Sequence, residues 1–279
     1  MTPLLGAAVR PRLARDNAGR AANQGRGAPP GFRRALSRGR ALDVYEVWNE
    51  DRGCLCAVKT LRPDRAADRS ARRRLRTEGE LLLRLTHPHI VRAYELVLRP
   101  QPTLVLETLD GATLAYIIKM RKGRLPVCEV AVLGLQLASA VAYIHRQGFL
   151  HLDVKPSNVV CDGGYAKLID LSIARVPGRV RKPVGTRPYM APEQLVGGNL
   201  TEAADVWGLG SVLYEAATGR RPFKGTDRDG FQQLSRRAEP ARRWRRLPGP
   251  LAAAIDACLE PEPAAPTLAD LGGPLEDFA

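Results

Sequence analysis

The sequence predicts an α+β fold in two lobes, a small β-rich one with a single main helix followed by a larger, mostly helical one. Three observations carry this. From Phe32 to Glu107 the texture is strand-like with one helical interruption. Beyond Gly111 apolar residues recur at three- and four-residue spacing, the period of a helix face. Between two such helical stretches lies a hairpin signal, Asp162-Gly163-Gly164, flanked by apolar segments. Strands first and helices afterwards describe segregated layers, here read as two lobes with a cleft between them.

Each element has a local reason. Cys54 to Leu61 is strand material after a turn at Asp51-Arg52-Gly53, and Arg72 to Thr86 has helical composition with Leu75, Leu82 and Leu85 on one side. Tyr94 to Leu98 and Thr103 to Glu107 read as strands joined by Arg99-Pro100-Gln101-Pro102. Val130, Leu133, Leu137, Val141 and Ile144 mark a long helix that Gly148 stops. A second buried helix is expected from Glu202 to Thr218, closed by Gly219. Residues 1–30, rich in Arg, Ala, Gly and Asn without periodicity, read as a flexible basic tail, and residues 273–279 as a short tail at the other end. The folded domain is therefore expected over 31–272, divided into 31–107, a hinge at 107–111, and 112–272.

Composition narrows the class. With 44% hydrophobic residues over 279 positions, the chain is neither wholly disordered nor a membrane bundle. No apolar run is expected to approach the ~20 residues of a membrane span. The excess of Arg over Lys, together with the Ala, Gly and Pro load, suggests a GC-rich coding genome. Five cysteines, an odd number, point to free thiols and a soluble, cytoplasmic protein. Cys54 and Cys56 lack the two-residue gap of zinc or redox motifs.

The formal charge of +14 suggests a nucleic-acid binder until it is located. Residues 1–40 carry nine Arg and one Asp, 62–76 seven Arg and two Asp, and 236–246 six Arg and one Glu. Residues 175–187 add five basic residues and no acid. The charge is clustered, and no nucleic-acid module accompanies it, so specific nucleic-acid binding is not expected.

Chemistry concentrates in His151-Leu152-Asp153-Val154-Lys155-Pro156-Ser157-Asn158, a loop holding a carboxylate, an amine and an amide just before the hairpin. The hairpin returns the chain, so Asp170 should lie beside Asn158. An amide oxygen and a carboxylate suit Mg²⁺, with phosphate and water completing the shell. Asp153 is then free to orient a hydroxyl.

These blocks resemble the eukaryotic-type (Hanks-type) serine/threonine protein kinase family, over roughly residues 32–271. Ala57-Val58-Lys59 resembles the third-strand lysine motif, with Glu78 as the helix glutamate paired to Lys59. Leu106 resembles the gatekeeper, and the Glu107 and Leu109 backbone the hinge that bonds adenine. Leu36, Gly39, Val44, Ala57 and Val160 fall where the family lines the nucleotide. Asn158 and Asp170 are the implied metal ligands, for Mg²⁺ or Mn²⁺. Asp153, Lys155 and Thr186 form the implied catalytic set, Lys155-Pro156 and Thr186 favouring serine/threonine over tyrosine substrates. Gly185 to Glu193 resembles the end of the activation segment, and Asp205-Val206-Trp207-Gly208-Leu209-Gly210 the start of the family's central helix. The resemblance implies ATP and protein substrates as partners, and the basic cluster at 175–187 a preference for acidic residues near the target hydroxyl.

The departures are specific. Ser37, Gly39 and Leu42 stand at the three glycine positions of the family's loop, so only the middle glycine survives. Leu152 replaces the arginine before the catalytic aspartate, and residues 173–185 hold no hydroxyl to phosphorylate. Receiver and acceptor are missing together, so activity without activation-loop phosphorylation is expected. Leu171-Ser172 replaces Phe-Gly, and Pro263-Ala264-Ala265-Pro266-Thr267 lacks the closing arginine, which should leave Glu193 without its buried partner. The rivals are a pseudokinase scaffold, which the altered glycine loop and Ser172 favour, and a basic nucleic-acid-binding protein.

Overall fold

The computed structural model describes residues 31–121, 123–224, 230–261 and 266–279. The expected tail over 1–30 and Pro263-Ala264-Ala265 of the closing block lie outside the described residues. Two compact units divide between Asp110 and Gly111.

The first unit is a five-stranded antiparallel sheet with one main helix. Its elements are β1 (Phe32–Arg38), β2 (Leu42–Asn49), β3 (Cys54–Leu61), α1 (Arg69–Leu82), β4 (Ala93–Val97) and β5 (Thr103–Glu107), in sheet order β1-β2-β3-β5-β4. β3 is central, paired on both sides, with Lys59 opposite Val44 and Leu104. Alternation along it sends Cys56 and Val58 to an apolar cluster with Tyr45, Val47 and Val105, and Ala57 and Lys59 to the other face. The helix starts three residues earlier than its composition suggested, because Asp68 caps it by accepting a hydrogen bond from the Ala71 N–H. It also ends earlier, at Leu82, although Leu85 is still buried. Ala71, Leu75, Glu78 and Leu82 share its buried stripe.

The second unit carries β6 (Ala112–Thr113), α2 (Leu114–Met120), α3 (Val127–Arg146), β7 (Val159–Asp162), β8 (Tyr165–Leu168), β9 (Gly178–Arg179), α4 (Pro192–Val196), β10 (Asn199–Leu200), α5 (Ala203–Thr218), α6 (Gln232–Ser235), α7 (Gly249–Ala257) and α8 (Gly272–Glu276). Gly163 and Gly164 both have positive φ, 56° and 95°, as a two-residue hairpin turn requires, so Asp162 belongs to the strand. Gly219 ends α5 in the left-handed conformation.

Two expectations need correcting. α3 is 20 residues long and apolar enough to cross a membrane by length and composition. Its apolar positions, Val130, Leu133, Leu137, Val141 and Ile144 among them, are buried, and it packs against α5, α8 and β8. Residues 273–279, expected as a tail, mostly form α8, whose Leu275 is buried against α3 where Gly134 leaves room for it.

All five cysteines are free thiols. Burial pushes the Cys161 and Cys258 thiols up to about 12, so both are inert neutral core groups. Burial and a hydrogen bond from its own S–H to Cys54 also raise Cys56. Among the described residues no group of three His, Cys, Asp or Glu side chains gathers as a metal cluster.

Candidate active site

In the sheet unit, Lys59 Nζ donates to both oxygens of Glu78, each at 2.8 Å. Glu78 is 1% exposed. Gly79 makes this reach possible: a Cβ there would lie 2.7 Å from the Leu96 side chain, so the glycine lets α1 settle close onto the sheet. A buried pair is costly to form and costlier to break, since removing one partner strands a charge. The pair therefore holds the ammonium at one place on the Ala57 face of β3.

The other sequence-predicted residues of this unit are dispersed in exposure. Ala57 and Leu106 are buried, Val44, Glu107 and Leu109 half-buried, and Gly39 exposed. Leu36 is 41% exposed. Glu107 is pinned, its N–H donating to the Arg92 carbonyl at 3.0 Å and its carboxylate accepting from the Arg92 N–H at 2.8 Å. β1 and β2 meet in a tight turn in which Gly39 N–H donates to the Leu42 carbonyl at 2.8 Å.

In the helical unit the loop after α3 is built around one carboxylate. Asp153 Oδ1 accepts from Thr186 Oγ1 at 2.6 Å, and its Oδ2 accepts from Lys155 Nζ at 2.6 Å and from Asn158 Nδ2 at 3.0 Å. Lys155 also donates to Thr186 Oγ1 at 2.7 Å, closing a triangle. Thr186 has one proton and gives it to Asp153, so its lone pairs are what Lys155 meets. Asn158 Nδ2 further donates to the Asp153 carbonyl at 3.0 Å, which leaves the amide oxygen as its ligand atom.

The hairpin returns the chain to Asn158, whose carbonyl accepts from the N–H of Ile169, the residue before Asp170, at 2.8 Å. An amide oxygen and a carboxylate at adjacent backbone positions fit a hard divalent cation whose other ligands are phosphate and water. Asp170 adopts φ 67° and Leu152 φ 64°, left-handed conformations that non-glycine residues hold only where surroundings enforce them. Ser172 N–H donates to Asp170 Oδ1 at 3.3 Å, and Leu171 is buried. Val160 on β7 is half-buried.

Sequence reasoning placed Asp205 on a helix start without seeing its task. Buried in the first turn of α5, it accepts from the N–H groups of His151 and Leu152, both at 2.7 Å, and bonds His145 Nε2 at 2.8 Å. A carboxylate in the first turn of a mostly apolar helix was the available signal. His151 is structural: fully buried, its Nδ1 accepts from the Asp153 N–H at 3.2 Å. Also missed was Gln194, a buried amide beside the catalytic loop. Glu193, whose expected partner is the missing closing arginine, is half-buried and has another interaction. The five basic residues of 175–187 are all exposed. In the 62–76 cluster, Arg62 pairs with Asp64 at 2.8 Å and Arg76 with Glu80 at 2.7 Å, a solvated helix face and its approach.

The sheet unit thus holds a glutamate-anchored lysine, and the helical unit an aspartate held by lysine, threonine and asparagine. The chain belongs to the protein kinase domain family, whose profile matches residues 32–266. It is 38% identical over 249 residues to the serine/threonine-protein kinase PkaA of Streptomyces coelicolor, a match covering 86% of this chain and 45% of PkaA. To the serine/threonine-protein kinase PknB of Mycobacterium tuberculosis it is 36% identical over 182 residues, covering 61% of this chain and 29% of PknB. To AtPK2/AtPK19 of Arabidopsis thaliana, also a serine/threonine-protein kinase, it is 30% identical over 198 residues, covering 69% and 42%. The chain spans less than half the length of each of these relatives.

Proposed function

We propose that the protein is a serine/threonine kinase that moves the γ-phosphoryl group of ATP to protein hydroxyls. The observation that carries this is the Asp153 carboxylate, fixed by Thr186, Lys155 and Asn158. Three donors set its plane and leave it oriented toward an incoming hydroxyl. Asp153 accepts a hydrogen bond from the substrate Ser or Thr, whose oxygen attacks phosphorus in line while the bond to the ADP oxygen breaks. Lys155 balances charge on the transferring group, and Lys59 holds the α- and β-phosphates. Asn158 and Asp170 would hold Mg²⁺, or Mn²⁺ in its place, and such an ion supplies neutralisation of phosphate charge. In the sheet unit, adenine is assigned to Ala57, Val44, Leu36 and Leu106 with the backbone of Glu107 and Leu109, and Gly39 to the phosphate loop.

Activity without activation-segment phosphorylation follows from the same residues. Leu152 is buried where an arginine would receive a phosphate, and 173–185 contains no hydroxyl. The exposed Arg175, Arg179, Arg181, Lys182 and Arg187 favour substrates with acidic residues near the target. A peptide array indifferent to flanking acids would remove that part of the reading. Five free thiols accord with a cytoplasmic location.

The pseudokinase reading has two observations on its side, Ser37 and Leu42 at two glycine positions and Ser172 at the glycine position after Asp170-Leu171. Transfer from Mg-ATP to Ser/Thr peptides, run beside Asp153→Asn, decides between them. The expected loss in the variant is about 10³-fold or more. Wild-type turnover no higher than the variant's, with ATP still bound, would establish the scaffold instead.

A further inference from the structure

Gln194, in the first turn of α4, is 2% exposed. Every polar atom of its side chain is used. Nε2 donates to the Leu152 carbonyl at 2.9 Å and to the Val184 carbonyl at 2.8 Å, and Oε1 accepts from the Ala191 N–H at 3.0 Å. Two carbonyls on one side and one N–H on the other dictate the amide's orientation. The Ala191 bond is half of a capping box, since alanine has no side chain with which to answer.

The two carbonyls belong to different segments. Leu152 immediately precedes Asp153, and Val184 lies two residues before Thr186. Asp153 and Thr186 are themselves joined at 2.6 Å. The path Asp153, Leu152, Gln194, Val184, Gly185, Thr186 and back to Asp153 is therefore a closed circuit with one side chain as its second fastening. Leu152, in its left-handed conformation, is gripped at both ends, by Asp205 on its N–H and by Gln194 on its carbonyl. Gly185 shows how tight the circuit is. At φ 123°, a Cβ there would stand 2.8 Å from the Leu152 carbonyl oxygen and 3.0 Å from Gln194 Nε2.

We propose that Gln194 is a positioning residue: a buried neutral amide that clamps the activation segment to the catalytic loop, setting Thr186 against Asp153 without any phosphate. It rests on the kinase reading above and deepens its phosphorylation-independent part. A neutral clamp suits a segment with no hydroxyl to modify and a loop with Leu152 in place of a cation. It is always engaged, so the active geometry is the resting geometry.

The test compares wild type, Gln194→Leu and Gln194→Glu in Mg-ATP peptide phosphorylation between about pH 6 and 8, with Asp153→Asn as blank. Gln194→Leu removes both carbonyl bonds and is expected to lower kcat about 10²-fold, with ATP KM little changed. Gln194→Glu separates positioning from mere folding. Ionised, its carboxylate faces two carbonyls; protonated, its O–H restores one bond, so its kcat relative to wild type should rise as pH falls. Should the leucine variant not fold, the glutamate profile alone decides. A kcat near wild type in both variants, or a glutamate-to-wild-type ratio flat with pH, overturns the clamp. Amide hydrogen exchange over 184–187, expected to quicken in either variant, judges it independently of turnover. Wild-type transfer no greater than the blank would overturn the kinase reading, and exchange unchanged in the variants would overturn the clamp.

Discussion

The catalytic loop, 151–158, and the β1–β2 turn, 37–42, both carry kinase motif positions, yet the protein treats them oppositely. In the loop, the N–H groups of residues 151, 152 and 153 and the side chains of Asp153, Lys155 and Asn158 all have fixed protein partners. In the turn, residues 37–40 are exposed, and besides the strand pairing its ties are backbone ones, Gly39 N–H to the Leu42 carbonyl and the Arg62 N–H to the Ala41 carbonyl at 2.9 Å, with the Arg62 side chain on the Gly39 carbonyl at 3.3 Å. The one surviving glycine is the one the turn itself needs: a Cβ at Gly39 would sit 2.7 Å from the Leu42 carbonyl oxygen. Ser37 and Leu42 occupy positions where glycine serves a ligand and not the fold. The hydrogen bonds of the catalytic loop involve neither position, so an altered glycine turn says little about the integrity of that loop.

The largest expected effect breaks the ordered side of this contrast. Lys59→Met should reduce transfer to the Asp153→Asn background and, by stranding Glu78, destabilise the fold by about 3 kcal/mol. Adding Glu78→Gln should return most of the stability and none of the activity, seen by urea unfolding beside the peptide assay. Recovery of activity in the double variant would mean the pair is structural alone. Next in size is Thr186→Val, which removes a donor to Asp153 and an acceptor for Lys155. We expect kcat to fall about 10-fold to 100-fold with ATP KM unchanged, and a change confined to KM would argue against the triangle.

The drifted side is sharpened by restoring it. Ser37→Gly with Leu42→Gly should lower ATP KM severalfold at unchanged kcat, because the backbone can then approach phosphate closely. The cost is about 0.5–1 kcal/mol of stability per glycine placed in a strand. An unaltered KM would show that the present turn already serves nucleotide as well as glycine does.

The same contrast explains what was legible in the sequence. Strands β3 and β5, the long helix α3 and the hairpin follow from alternation, period and paired glycines, which are local signals. Asp153, Lys155, Asn158 and Asp170 could be grouped because a hairpin joins near neighbours in the chain. Asp205 and Gln194 could not, since the partners of Asp205 lie 53 to 60 residues away and the Leu152 carbonyl lies 42 residues from Gln194, beyond any local pattern. The start of α1 was misjudged because a single capping aspartate, Asp68, outweighed helical composition. The segment 273–279 was misjudged because α8 is made by packing of Leu275 on α3, which no local pattern announces.

The smallest predicted effect concerns the stretch just after Thr186. Tyr189 donates its hydroxyl to Glu215 at 2.8 Å, and Arg221 stands 3.8 Å from the same carboxylate. Burial raises the Glu215 carboxyl above its ordinary value, only partly offset by the Tyr189 bond and the Arg221 charge. Burial likewise pushes the Tyr189 phenol up, so it remains a donor throughout the working range. Between the unfolded and the raised folded value of Glu215 the folded state binds more protons, so its contribution to stability falls as pH rises through that window. Glu215→Gln keeps an acceptor for Tyr189 and removes the titration. The variant should therefore gain stability relative to wild type as pH climbs from about 4 to 7, measured by urea midpoints. A constant difference across that range would mean the carboxylate is not strained by burial. The segment carrying Tyr189 would then be held as comfortably as the catalytic loop that precedes it.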